Sequence, residues 1–362
     1  MRATAQLHNL GQSIWLDNIT RALLTSGKLR EYIRDLSVTG LTSNPTIFDN
    51  AIKSADSYDA AIKEKAAAGI GSEALFYDLA LDDLTQAADL FRGVHDATGG
   101  VDGWVSLELS PVLADDAAGS VKAAIELHAR AKRPNLFIKI PGTPAGIKAI
   151  EESIFAGVPI NVTLLFSRAQ YLAAAEAYLR GIERRIAKGL DPRVASVASI
   201  FVSRWDVAVQ DKVPAELRNK LGIAVGLRTY RAYCDLQASP RWKKLQDAGA
   251  PMQRLLWAST GTKDPQAKDT FYIEALAAPD TINTVPEKTL LAFDDHGQVG
   301  GVMPRDGGDG EKTLAEFAKR GIDEDTLAAE LQHAGAESFM KSWQSLLGQI
   351  EAKSATLKRR AG

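Results

Sequence analysis

The run NLFIKIPGT (135–143), followed after a connection over 144–158 by PINVTLLFS (159–167), decides the fold class. Both runs are rich in β-branched and aromatic residues and are bounded by Pro, Gly, Ser or Thr, the composition of strands closed by turns. A connection of crossover length leaves two such strands parallel, where a hairpin would need only a tight turn. Working outward, the same composition recurs in IWLDN (14–18), SVTGLTSNP (37–45), GWVSLELSP (103–111), VASVASIFVSR (194–204), RLLWAST (254–260) and DTINTVP (280–286), eight runs in all. Helical patterns lie between them. After the fifth run Leu172, Ala175, Leu179, Ile182 and Ile186 recur at spacings of three and four, and Asp191-Pro192 then punctuates the chain. Phe339, Trp343, Leu346 and Ile350 repeat the spacing near the C-terminus.

Strands alternating with helices make a parallel sheet. Eight of them in one chain predict a closed (β/α)₈ TIM barrel of the α/β class rather than an open doubly wound sheet. The 362 residues exceed the roughly 250 of a bare barrel, so extra helices are expected. One barrel domain over 1–362 is expected, with inserted helices at about 46–102 and 205–253 and a helical tail after 286. The Gly- and Asp-rich segment DDHGQVGGVMPRDGGDG (294–310) opens with two acids and lacks the strand–glycine–helix context of a phosphate loop. It reads as a mobile surface loop.

Composition narrows the function. With 45% hydrophobic and 24% charged residues the chain is an ordinary globular one. A net charge of -2 excludes a strongly basic surface for nucleic acid but leaves room for a local anion site. The single cysteine, Cys234, excludes an internal disulfide framework and a cysteine-rich zinc site. His8, His95, His128, His296 and His333 are scattered, with no HExxH-type pair, so neither metal nor cofactor is expected. No apolar run approaches a membrane span, and MRATAQLHNLGQSIW lacks the apolar region of a secretory signal. No membrane partner is expected, and the cytoplasm is the default compartment.

Side chains alternate along a strand, so in Leu136-Phe137-Ile138-Lys139-Ile140-Pro141 the two isoleucines share one face and Phe137 and Lys139 the other. The isoleucine pair suits the helix side of a barrel strand, which turns Lys139 inward. A buried lysine is costly unless it is paired or neutralised, and desolvation in general favours the neutral amine. A neutral amine can attack a ketone, expel water and leave an iminium that accepts the electrons of a breaking C–C bond. A structural ion pair, or a lysine snorkelling at a strand end, is the plain alternative.

Other strands add polar groups near their C-terminal ends, the face where barrel enzymes build active sites. The first run ends Leu16-Asp17-Asn18 and the second Ser43-Asn44-Pro45, while Ser106, Glu108 and Ser110 share a face of the third and Asn161 and Thr163 a face of the fifth. Singly, Asp17 or Ser43 reads equally as a helix N-cap, Asn44 as a turn residue and Glu108 as a buried ion-pair partner. Together, five strands converging on one mouth with Lys, Asp, Glu, Asn and Thr are hard to explain as structure alone. Ser199, Ser203 and Arg204 in the sixth run, and Lys263 in Ser259-Thr260-Gly261-Thr262-Lys263, suit a phosphate. For Lys263 a plain surface cation is the competing reading.

These stretches resemble the transaldolases, Schiff-base aldolases that act on sugar phosphates of the pentose phosphate pathway. The resemblance rests on Leu16-Asp17-Asn18, Thr42-Ser43-Asn44-Pro45, Ser106-Leu107-Glu108, Ile138-Lys139-Ile140-Pro141, Asn161 to Ser167 and Ser199 to Arg204, continuing more weakly to Thr284-Val285-Pro286. It implies a barrel that transfers a dihydroxyacetone unit from sedoheptulose 7-phosphate to glyceraldehyde 3-phosphate, giving erythrose 4-phosphate and fructose 6-phosphate. It implies Lys139 as the Schiff-base lysine, Asp17 as the base on the hydroxyl beside the breaking bond, Glu108 as proton shuttle and Thr163 as a holder of the shuttle's water. Asn44 and Asn161 would bind substrate hydroxyls, and Ser199 and Arg204 the phosphate end, with Lys263 as a second phosphate ligand.

Two positions depart from the pattern. Ser203 stands where many relatives have Gly, and the seventh-strand region reads STGTK where many have an arginine. A fructose 6-phosphate aldolase is the nearest rival, but those relatives are shorter and carry Gln in place of Glu108. A sugar-phosphate-binding protein without catalysis, and a zinc aldolase, are further alternatives. The sequence is compatible with a homodimer and does not specify one.

Overall fold

The computed structural model describes residues 1–54 and 56–359. Its strands are β1 (Ser13–Asp17), β2 (Val38–Thr42), β3 (Val105–Glu108), β4 (Leu136–Pro141), β5 (Ile160–Leu165), β6 (Ser196–Phe201), β7 (Arg254–Ala258) and β8 (Ile282–Val285). Each pairs in parallel with its neighbour in the chain, and β8 pairs with β1, so the eight-stranded sheet closes into a (β/α)₈ barrel. Each lies within, or one residue beyond, one of the eight runs read from sequence, because the turn residues at the ends of those runs fall outside the ladder.

Strand alternation sorts the apolar side chains into two clusters. Val105, Leu107, Leu136, Ile138, Ile140, Ile160, Val162, Ala198 and Ile200 pack outward against the helices. Trp15, Phe137, Val197, Leu256 and Ile282 belong to a second cluster that fills the barrel interior. Phe137 stacks on Trp104 with ring centroids 4.1 Å apart, and the Trp15 indole donates to Asp102 Oδ1 at 2.7 Å. Space for that indole comes from Gly40, where a Cβ would lie 2.6 Å from the Trp15 ring. Along β1 and β4 this aromatic plug occupies the positions before Asp17 and Lys139. The interior therefore carries an aromatic layer between a polar C-terminal mouth and a hydrogen-bonded cluster of Asp102, Ser13 and Arg254 at the other end.

Between β2 and β3 run helices Pro45–Ser54, Asp59–Ala67 and Ser72–Ala97, and between β6 and β7 run Ser203–Val209, Leu221–Ala238 and Pro240–Asp247. The helix Arg168–Ala187 begins with a capping box between Ser167 and Gln170. Its buried stripe is turned slightly from the spacing read in the sequence: Tyr171, Ala175, Tyr178, Leu179 and Ile182 are buried, while Leu172 is 40% exposed. The glycine-rich segment after helix Glu287–His296 is irregular, but it is more than a surface loop. Met303 is buried within it and donates its backbone N–H to Ala277 O at 2.8 Å.

The last helix, Glu324–Arg359, crosses the mouth of the barrel. Phe339, Trp343, Leu346 and Ile350 form its buried face, and Trp343 meets Phe76 edge-on at 5.0 Å. Among the described residues no helix is long and apolar enough to cross a membrane.

Candidate active site at the barrel mouth

A cavity of about 140 Å³ opens where the strands end, lined among others by Asp17, Thr42, Asn44, Lys139, Thr163, Ser199, Arg204 and Lys263. Lys139 stands near its floor. The parallel register sets Lys139 opposite Glu108 of β3 on one side and Asn161 of β5 on the other. Its Nζ donates to Glu108 Oε2 at 2.7 Å and to Ser43 O at 2.9 Å. Ser43 is fixed in turn, its hydroxyl donating to Ser106 O at 2.7 Å.

Both members of the Lys139–Glu108 pair are buried, at 5% and 7% exposure, so this contact is far from the weak surface ion pair. Burial pushes the Glu108 carboxyl above the usual carboxylate range, with the Lys139 charge and hydrogen bond opposing. A carboxylate of raised proton affinity in direct contact with an amine can take that amine's proton. The ion-pair and proton-shuttle readings of Glu108 thus describe one contact.

Asp17 ends β1, and burial pushes its carboxyl up as well; Lys139, a hydrogen bond from Thr42 and the Lys263 charge oppose the shift. The Thr42 hydroxyl donates to Asp17 Oδ1 at 2.8 Å and lies 2.6 Å from the Thr284 hydroxyl, so β1, β2 and β8 are tied by a short hydroxyl chain ending on a carboxylate. Asp17 is not an N-cap; Thr20 caps the next helix instead.

The asparagines divide. Asn44 lines the cavity while its Oδ1 accepts from Ile47 N at 3.0 Å, capping the helix that follows, so its structural and site readings coexist. Asn161 is fully buried beside the cavity rather than in its lining. Its Nδ2 donates to Ser106 Oγ at 3.1 Å and its Oδ1 accepts from Ser199 Oγ at 2.7 Å. Ser199, from which Asn161 accepts, does line the cavity.

Thr163 directly precedes a local break in β5. The β5–β6 register shifts between Val162 and Leu165, and Leu164 adopts φ 55°, a left-handed conformation disfavoured for a residue with a Cβ. Thr163 faces the cavity two residues on from the inward Asn161, and the extra residue at Leu164 lets Leu165 return to the outer core. The Thr163 hydroxyl is buried and has no hydrogen-bond partner in the protein.

Arg204 lies at the start of the helix Ser203–Val209, its guanidinium 5.2 Å from the Phe201 ring and 6.0 Å from that of Phe339. Burial lowers its proton affinity and Glu108 opposes. No carboxylate among the described residues lies within ion-pair distance of it, which leaves a largely buried cation free to meet an anion. Lys263 is exposed at the rim. Ser203 is buried with its Oγ 2.9 Å from Ser259 Oγ, so it joins the ends of β6 and β7 and does not line the cavity.

Sequence reasoning did not single out Thr42, Thr284, Phe201, Pro286 or Phe339 as part of this lining. Thr42 shares its strand face with Asn44 and Thr284 its face with the inward Ile282, so alternation could have found them. Phe339 could not be found that way, because its helical spacing reads as ordinary core.

The closed parallel barrel, with an amine and two carboxylates at its C-terminal mouth, defines a (β/α)₈-barrel enzyme. Residues 14–350 match the family described as Transaldolase/Fructose-6-phosphate aldolase. The chain is 41% identical to a transaldolase of Arthrobacter sp. (strain FB24), with 98% of each chain covered. It is 43% identical to one of Saccharopolyspora erythraea over 94% of each, and 42% identical to one of Thiobacillus denitrificans over 97% of this chain and 100% of the relative. The chain belongs to the transaldolase/fructose-6-phosphate aldolase family.

Proposed function

We propose that this chain is a transaldolase that carries a dihydroxyacetone unit as a Schiff base on Lys139, taking it from sedoheptulose 7-phosphate and passing it to glyceraldehyde 3-phosphate. The observation that carries the reading is the buried Lys139 amine in contact with Glu108 within a cavity that also holds Asp17. Transfer of a proton from Nζ to Glu108 frees the nitrogen lone pair to attack the donor ketone. Glu108 then returns protons, through a water held at the unpartnered Thr163 hydroxyl, to expel the carbinolamine oxygen as water. The iminium draws electrons from the bond to be broken. Asp17 accepts the proton of the hydroxyl beside that bond, the aldose leaves, and a three-carbon enamine stays on the lysine. A second aldehyde takes up the enamine by the reverse steps.

Asn44 is assigned to a substrate hydroxyl, Ser199 and Arg204 to the phosphate end, and Lys263 to a rim contact with phosphate. Asn161 holds Ser199 in place. The unpaired Arg204 supports a phosphorylated substrate over a neutral sugar. The chemistry calls for neither metal nor cofactor, since the iminium is the electron sink. We read the chain as a cytoplasmic protein compatible with a homodimer, with sugar-phosphate substrates and no nucleic-acid or membrane partner.

Transfer separates this reading from simple cleavage. With fructose 6-phosphate alone, free dihydroxyacetone should be negligible; adding erythrose 4-phosphate should yield sedoheptulose 7-phosphate with ping-pong kinetics. Steady release of dihydroxyacetone at the same rate with and without acceptor would refute it in favour of an aldolase.

A further inference from the structure

The last helix places one polar side chain on the broken end of β5. Gln332 Nε2 donates to Leu164 O at 2.9 Å and to Gly142 O at 3.0 Å, a single amide bridging the residues that follow β4 and the bulge of β5. Gly142 N donates in turn to Thr163 O at 2.8 Å. Two of these hydrogen bonds end on the backbone of Thr163 and of the left-handed Leu164 beside it, and the third ties Gly142 to the same amide. One turn earlier on the same helix, Ala328 O accepts from Gln170 Nε2 at 3.4 Å, and Gln170 Oε1 accepts from Phe166 N at 2.8 Å. The next turn brings Gly335, where a Cβ would lie 2.8 Å from Leu164 Cδ2. One face of the helix thus clasps residues 164–166 from two sides, with no side chain at the closest approach.

A strained conformation persists only where its surroundings fix it. Here the constraint comes from a helix more than 160 residues further along the chain. We infer that Gln332 is a positioning residue for the reaction: its two donations hold Leu164 left-handed and so keep the Thr163 hydroxyl aimed into the cavity beside Lys139. The inference rests on the proposed role of Thr163 in the proton shuttle. Loss of the clamp would slow the proton steps around carbinolamine dehydration while leaving the phosphate and hydroxyl contacts of the bound sugar in place.

The variants Gln332→Met, which keeps the length and removes both donors, and Gln332→Glu, which sets a carboxylate against two carbonyls, test this in the full-length chain. With fructose 6-phosphate and erythrose 4-phosphate, kcat is expected to fall about tenfold or more, as for other small misplacements of reacting groups. The donor KM should stay within about twofold. Hydrogen exchange of a peptide spanning 161–167 should quicken in both variants. Adding Thr163→Ala to Gln332→Met should cost less than the same change in the wild-type chain, since the two residues act as one unit. Unchanged kcat in both variants, or equal losses from Thr163→Ala in the two backgrounds, would overturn the inference, as would unaltered exchange over 161–167. A wild-type chain that transfers nothing would instead refute the proposed function, and the exchange measurement would still report whether Gln332 holds the bulge.

Discussion

Replacing Thr42 by Val probes the base of the site with almost no change of shape. Asp17 is buried, and its carboxylate accepts a 2.8 Å hydrogen bond from the Thr42 hydroxyl, which the Thr284 hydroxyl supports from 2.6 Å. Burial pushes the Asp17 carboxyl up, and the Thr42 hydrogen bond is one of the forces holding it down. A hydrogen bond to a charged group stabilises it by about 1.5–3 kcal/mol, and a shift of one pKa unit corresponds to about 1.4 kcal/mol. Loss of the hydroxyl should therefore cost the ionised form of Asp17 about 1.5–3 kcal/mol and raise its proton affinity further. As a base Asp17 acts only when ionised, so the acid limb of the pH profile of kcat for transfer should move to higher pH. Transfer from fructose 6-phosphate to erythrose 4-phosphate, followed across pH, measures it. An acid limb that stays in place while the whole profile drops would refute the reasoning, because the hydroxyl would then act on something other than the ionisation of Asp17.

Arg204→Ala should lower kcat/KM for a phosphorylated donor roughly ten- to a hundredfold, the loss of a charge-assisted contact, while sparing an unphosphorylated ketose; equal losses with both would contradict its place at the phosphate end. Asp206 accepts hydrogen bonds from Tyr272 and from the backbone of Leu221 and Gly222, yet burial pushes its carboxyl up to about 6. A native proton affinity above the unfolded one makes the acid the form the fold prefers. Its contribution is complete below about pH 4, is lost as pH rises through 6, and amounts to about 3 kcal/mol. Asp206→Asn should flatten that part of the stability profile in denaturant unfolding, and an identical pH slope in the two proteins would count against the assignment. Trp15→Ala removes a fully buried indole and its hydrogen bond to Asp102, and should cost about 3–5 kcal/mol of stability; a loss below about 1 kcal/mol would mean the barrel interior does not depend on its aromatic plug.

Much of this architecture is legible in local sequence because it is set by local periodicity. The β-branched runs and their turn residues mark all eight strands, and alternation alone turns Ile138 and Ile140 toward the helices and Phe137 inward. The same logic fails at Leu164, where a bulge interrupts the period and sends Leu165 outward; nothing in Val-Thr-Leu-Leu-Phe distinguishes that from a regular strand. Leu172 fits the apolar spacing of its helix and is left exposed, since Tyr171 and Tyr178 claim the buried face. Met303 is anchored by Ala277, a contact the Gly- and Asp-rich composition around it does not announce. The wall supplied by Gln332, Gly335 and Phe339 is equally silent, because it depends on where a distant helix lands. Asn161 shows the limit from the other side: alternation puts it inward, but only the hydrogen bonds to Ser106 and Ser199 show that its polar atoms are occupied.

The central claim is that the amine on β4 carries three carbons of a ketose. Incubating the chain with fructose 6-phosphate and borohydride, then mapping the adduct by mass spectrometry, tests it most directly. A three-carbon adduct on Lys139, absent from Lys139→Ala, is the predicted result; an adduct on another lysine, or transfer that survives Lys139→Ala, would contradict it.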